Sequence, residues 1–117
     1  MSYEIRGKTI NGIVPTEAQV LKLNSGTGTI KLTLKYRPAI QMWFMDISYN
    51  GIDINGLRVC LGLNLLRQWK NILDFGILVK GIIEPMFIDD FSTGRVTMML
   101  LNTDEVQTIE DFFKEGV

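Results

Sequence analysis

The chain has 117 residues, 46% hydrophobic and 21% charged, with 12 basic and 13 acidic side chains for a net charge of −1. Such a chain fits one globular domain that buries about two thirds of its extended surface, and charge scattered this evenly offers no electrostatic footprint for nucleic acid. The absence of histidine and the single cysteine exclude Ser-His-Asp and Cys-His catalysis, imidazole zinc sites and a thiolate cage.

No run reaches the about 20 apolar residues of a membrane span. The opening Met1-Ser2-Tyr3-Glu4-Ile5-Arg6 lacks the apolar core of a signal peptide, which predicts synthesis in a cytoplasm. Residues 1–13 are polar and punctuated by Gly7 and Asn11-Gly12 ahead of Pro15, so they read as an N-terminal arm, either a contact segment or a frayed end. Residues 19–23 predict a short strand and residues 24–28 its turn. The glycines of that turn make no phosphate loop, because no Gly-Lys-Ser/Thr follows and the next element is a strand. That element, residues 29–36, alternates without error. Ile30, Leu32, Leu34 and Tyr36 share one face, and Thr29, Lys31, Thr33 and Lys35 the other.

After Arg37-Pro38 ends this strand, residues 41–60 read as a β-hairpin. Asn50-Gly51 suits a type I′ turn, which pairs Tyr49 with Ile52 and Ile47 with Ile54. Beyond Ile54 the apolar phase flips, and one extra residue, a bulge at Asn55-Gly56, restores it by setting Leu57 opposite Met45 and Val59 opposite Trp43. This register leaves Met42 and Phe44 on the outer face, as a partner surface or beneath another element.

Asn64 as N-cap, apolar Leu65, Leu66, Trp69, Ile72 and Leu73, and Gly76 beyond the end predict a short helix whose Arg67 and Lys70 lie on a solvated side. Residues 75–83 predict a buried strand closed by Glu84-Pro85, residues 87–94 a loop, and residues 95–102 a last strand. Asp89-Asp90 fits turn chemistry better than calcium, which needs six to eight oxygens. Lone Cys60 reads as a small buried hydrophobe. Residues 104–114 space Val106, Ile109, Phe112 and Phe113 along one side of an acidic amphipathic helix, which should dock on the body or on a neighbouring subunit.

Laid out in this order, the chain resembles the baseplate plug family of contractile-tailed bacteriophages. The resemblance runs from Val14-Pro15 to Asn102. It rests on Pro15 and Gln19, LTLKY at residues 32–36, WFMDI at 43–47, Gly51 and Gly56, GLNLLRQ at 62–68, Phe75-Gly76 and Asp89-Asp90. Arg37-Pro38 stands where the family often has an aromatic-asparagine pair, and both terminal extensions lie outside the resemblance. It implies a virion structural protein at the baseplate hub and the end of the tail tube, without enzymatic activity. The implied partners are other hub and tail-tube proteins and further copies of the chain in a symmetric assembly.

The expectation is an all-β domain, a small antiparallel barrel or sandwich of six or seven strands with one or two short helices, divided into an arm (1–13), a β body (14–103) and a C-terminal helix (104–117). Met42, Phe44, Ile109, Phe112 and Phe113 are the candidate interface residues, and no catalytic residue, cofactor, metal, nucleic-acid contact or membrane contact is expected. One rival is a small-ligand barrel, which requires a cavity that Trp43, Met45 and Tyr49 do not fill. The other is a carboxylate enzyme using Asp46 with Asp53 or Asp89 with Asp90.

Overall fold

The alternation of residues 29–36 becomes the middle of a four-stranded antiparallel sheet in the computed structural model, which describes residues 8–25 and 28–115. Strands β1 (Lys8–Thr9), β2 (Ala18–Asn24), β3 (Thr29–Arg37), β4 (Met42–Tyr49), β5 (Ile52–Arg58), β6 (Gly76–Gly81) and β7 (Val96–Leu101) are followed by one helix, α1 (Thr103–Glu115). They form two sheets, β2-β3-β4-β5 and β1-β7-β6. Among the described residues no ladder joins the two, so of the two expected architectures the molecule takes the sandwich and not the barrel. Residues 1–7 and Gly26-Thr27 of the expected turn lie outside the described residues.

The core fills the space between the sheets. Ile30, Leu32, Leu34 and Tyr36 of β3 and Trp43, Met45, Ile47 and Tyr49 of β4 face Ile77, Val79, Val96 and Met98 from the second sheet. Each large side chain hidden in this way contributes about 1.5–3 kcal/mol. Aromatic edges lock the layers: Tyr49 meets Phe75 at 5.1 Å between ring centroids, and Trp43 meets Phe91 at 5.3 Å. Ile10 and Ile13, within the expected arm, are buried in this core, and the Ile10 amide donates to the Met98 carbonyl at 2.9 Å.

The hairpin register is the expected one. Tyr49 pairs with Ile52, Ile47 with Ile54 and Met45 with Leu57, and the Val59 amide donates to the Trp43 carbonyl at 2.9 Å. The ladder slips between Met45 and Ile47, opposite Asn55-Gly56. Asp46 fills the gap: its Oδ1 accepts from the Gly56 amide at 2.7 Å, and Lys35 closes on its other oxygen at 2.8 Å. Gly56 has φ +70°, the left-handed region where a Cβ is disfavoured.

The helix expected from Asn64 is only a 3₁₀ turn, Arg67–Trp69. Tertiary pairing explains the difference. The Gly62 amide donates to the Val79 carbonyl and the Leu65 amide to the Ile77 carbonyl, so residues 62–65 line the outer edge of β6 instead of opening a helix. Asn64 is not the N-cap, which is Leu66 without a side-chain cap; its Oδ1 accepts from the Leu66 amide at 3.0 Å and from the Ile77 amide at 3.3 Å, and so ties the approach to the turn to β6. Gly76 is not a helix terminator. It starts β6, and a Cβ there would lie 2.7 Å from Asn64 Oδ1, so glycine permits the close approach. The strand expected over residues 75–83 shortens to Gly76–Gly81.

Helix α1 packs on the second sheet's far face, with wholly buried Ile109 and half-buried Val106 and Phe113 against Leu78, Met99 and Leu101. Asn102 and Glu105 form a capping box, each side chain accepting from the other's amide at 2.9 Å. The order across the molecule is therefore four-stranded sheet, core, three-stranded sheet, helix. Replacing Gly56→Ala forces a Cβ into the left-handed bulge and should lower stability by about 1–2 kcal/mol in urea titrations. An unchanged midpoint would show that Asp46 and Gly56 do not set the register.

Candidate assembly surfaces

Of the carboxylates that a carboxylate enzyme would use, Asp46 and Asp90 hold backbone amides and Asp89 pairs with Arg95. Asp46 lies at the bulge while Asp53 pairs with Ser48 further along, so the two are not opposed. Lys35 and the Gly56 amide hold the Asp46 carboxyl below the ordinary carboxylate range. Asp90 is wholly buried. Its Oδ2 accepts from the Met86 and Phe87 amides, both at 2.8 Å, and its Oδ1 accepts from Arg95 Nε at 2.8 Å. Burial pushes this carboxyl up, but the Phe87 amide, Arg95 and the Met86 amide together outweigh it and keep it below its ordinary value. Arg95 also reaches Asp89 at 2.6 Å. Turn organisation therefore accounts for the Asp89-Asp90 pair.

This lock shapes the loop between β6 and β7, and the loop in turn clasps the four-stranded sheet. Tyr36 Oη donates to the Met86 carbonyl at 2.6 Å and Trp43 Nε1 to the Phe87 carbonyl at 3.1 Å. With its backbone held on both sides, the loop turns apolar side chains outward: Ile82 is 83% exposed, Phe87 44% and Met86 41%. Nothing in the sequence pattern singled these residues out. The one available signal was their position, since an apolar cluster around Glu84-Pro85 cannot continue a strand.

Met42 and Phe44 lie where the register put them, half-buried on the outer face of the four-stranded sheet, with the Arg37 guanidinium 5.4 Å from the Phe44 ring centroid. On α1 the expected residues separate. Ile109 is 0% exposed inside the chain's own packing, Phe113 lies under the Arg67 guanidinium at 4.2 Å, and Phe112 is 44% exposed. Glu110, buried on the same helix, accepts from Arg67 at 2.8 Å and Lys70 at 2.6 Å, and these cations keep its carboxyl below the ordinary range. The two basic residues expected on a solvated helix side thus clamp α1 to the body.

Trp43, Met45 and Tyr49 are buried and occupy the interior that a ligand-binding barrel would have to leave open. Among the described residues the clefts include a surface groove of about 740 Å³ between Glu17, Tyr36, Gln41 and Phe87. Among the described residues no three Asp, Glu or Cys side chains converge as a metal site requires, and no helix is long and apolar enough to cross a membrane. Cys60 is half-buried.

Because the folded Asp90 carboxyl lies below its ordinary value of 3.8, its stabilising effect is complete above that pH and is lost as pH falls through the lower folded value. Asp90→Asn should cost about 2–3 kcal/mol at pH 7 and flatten the loss of stability between about pH 5 and 2, read from urea midpoints at each pH. A variant that acidifies in parallel with the parent chain would show that Asp90 is not the titrating lock.

Among curated proteins, none matches this chain. A family model does: the family described as cyanophage baseplate Pam3 plug gp18 matches residues 9–104. That span takes in both sheets, the Asp90 loop and the first residues of α1. A match over so much of the chain, on a sandwich whose carboxylates hold backbone and whose tethered loop displays apolar side chains, places the protein in the family of phage baseplate plugs.

Proposed function

We propose that this plug is a structural subunit seated at the baseplate hub, at the end of the tail tube of a contractile-tailed particle, where it works by packing and not by catalysis. It is made in the host cytoplasm and carried in the virion. The observation that carries the reading is the loop over residues 82–87. Its apolar side chains are exposed, while its backbone is anchored through Asp90, Tyr36 and Trp43. An exposed apolar cluster on a fixed backbone suits protein contact, since it can be buried without the cost of ordering a loop.

In this reading Ile82, Met86 and Phe87 meet hub or tube proteins, and Met42, Phe44 and Phe112 supply further contact, with Phe113 beside Phe112 at the end of the helix. Ile109 contributes from inside, by holding α1 on the sheet. A subunit of this kind needs no cofactor.

The double variant Met86→Asp/Phe87→Asp leaves the backbone carbonyls that accept from Tyr36 and Trp43 in place, so its thermal melt should stay close to that of the parent chain. Purified tails from phage carrying it should lack the protein or contain much less of it, as read by mass spectrometry. Normal incorporation of the folded variant, or tails that assemble and infect normally without the protein, would refute this placement.

A further inference from the structure

The two outermost layers of the molecule carry opposite charge. The exposed face of the four-stranded sheet displays Lys22, Lys31, Lys35, Arg37 and Arg58 against Asp46 and Asp53. Among the described residues, Lys35 is the one of these five cations in an ion pair, with Asp46. Lys22 and Lys31 are directly paired across β2 and β3, a like-charge contact that is unfavourable in the isolated domain. An edge lysine such as Lys22 can be explained as protection of a free strand edge. Lys31, one strand further in, has no such explanation. On the opposite side of the molecule, beyond the core and the three-stranded sheet, α1 exposes Asp104 and Asp111, with exposed Phe112 next to them. These aspartates are seven residues apart, about 10 Å along a helix, and Lys31 and Lys35 are about 13 Å apart along a strand. On the basic face half-buried Phe44 lies between Lys35 and Arg58, and Met42 beside Arg37.

We infer that the basic outer face of β2-β3-β4-β5 is a docking surface for the acidic exposed side of α1 from a second copy of this chain. The contact is head-to-tail: each copy offers one surface of each kind, Asp104 and Asp111 approach the lysines, and Phe112 approaches Phe44. A contact between two different surfaces generates a ring where the rotation closes and a stack where it does not. The inference rests on charge placement and does not depend on where the protein sits in a particle, so its solution test is independent of incorporation into tails.

The test is sedimentation velocity on the full chain at 20 and 500 mM salt, with two charge-reversed variants, Lys22→Glu/Lys31→Glu and Asp104→Lys/Asp111→Lys. Circular dichroism melts verify folding, and Asp104→Asn/Asp111→Asn substitutes if the lysine form melts early. The parent chain should associate at low salt and dissociate at high salt, because exposed charges are screened beyond a few ångströms there. Each variant alone should be monomeric. Their equimolar mixture should associate again at low salt, because the native pair of surfaces meets between unlike variants and the charge-reversed pair is complementary too. A parent chain that is monomeric at 100 µM in low salt, or variants that associate as it does, would overturn the inference. Retention of labelled duplex DNA by a monomeric parent chain, lost in Lys22→Glu/Lys31→Glu, would overturn it in favour of nucleic acid.

Discussion

The buried carboxylate of Asp90 is the point at which the two sheets are tied together. It lies in the connection between β6 and β7, takes the Met86 and Phe87 amides on one oxygen and Arg95 on the other, and so fixes the carbonyls that receive Tyr36 and Trp43 from the opposite sheet. A charge buried without partners costs several kcal/mol, whereas one with three donors in place holds its surroundings in a single arrangement. The loop geometry, the seating of Trp43 and the outward turn of Met86 and Phe87 all follow from this one acceptor.

The same logic recurs at smaller scale. Asp46 closes the bulge, Asn64 joins the 3₁₀ turn to β6, and Glu110 collects Arg67 and Lys70 to hold α1. Each is a polar side chain used as an internal fastener between backbone segments that hydrophobic packing alone would leave free to slide. A protein built in this way keeps its outer surfaces in fixed relative positions, which is what a subunit of a large particle needs from its parts. It also gives Asp46 and Asp90 a structural part, since amides and cations occupy their oxygens.

Much of this was legible in the residues. The register of β4 with β5, including the slip at Asn55-Gly56, followed from apolar phase alone, because the period of two leaves a half-buried strand only one acceptable alignment. The strict alternation of β3 and the amphipathic spacing of α1 were equally direct. The resemblance, carried by residues 14–102, pointed to the family that the match over residues 9–104 shows. What the residues did not disclose were the long-range fasteners. Asp90 takes its own donors from within five residues, but the loop it fixes accepts from Tyr36 and Trp43, 50 and 44 residues from their acceptors, Asn64 reaches Ile77 13 residues on, and Glu110 lies 43 and 40 residues from the cations that hold it.

The segment after Asn64 shows the dividing line most clearly. Its apolar spacing is helical and Asn64 is a residue type suited to an N-cap, yet the free edge of β6 captured residues 62–65 through backbone hydrogen bonds and left a single 3₁₀ turn that starts from Leu66. Local pattern alone determined strands β2 to β7, their faces, the bulge and the terminal helix, because side-chain periodicity and turn chemistry act over a few residues; β1, within the expected arm, it did not. Tertiary structure alone decided the sandwich over the barrel, the capture of that segment, the outward display of Ile82, Met86 and Phe87, and the separation of basic and acidic layers. Those outcomes depend on which distant edges and carboxylates meet, and no short-range period encodes that.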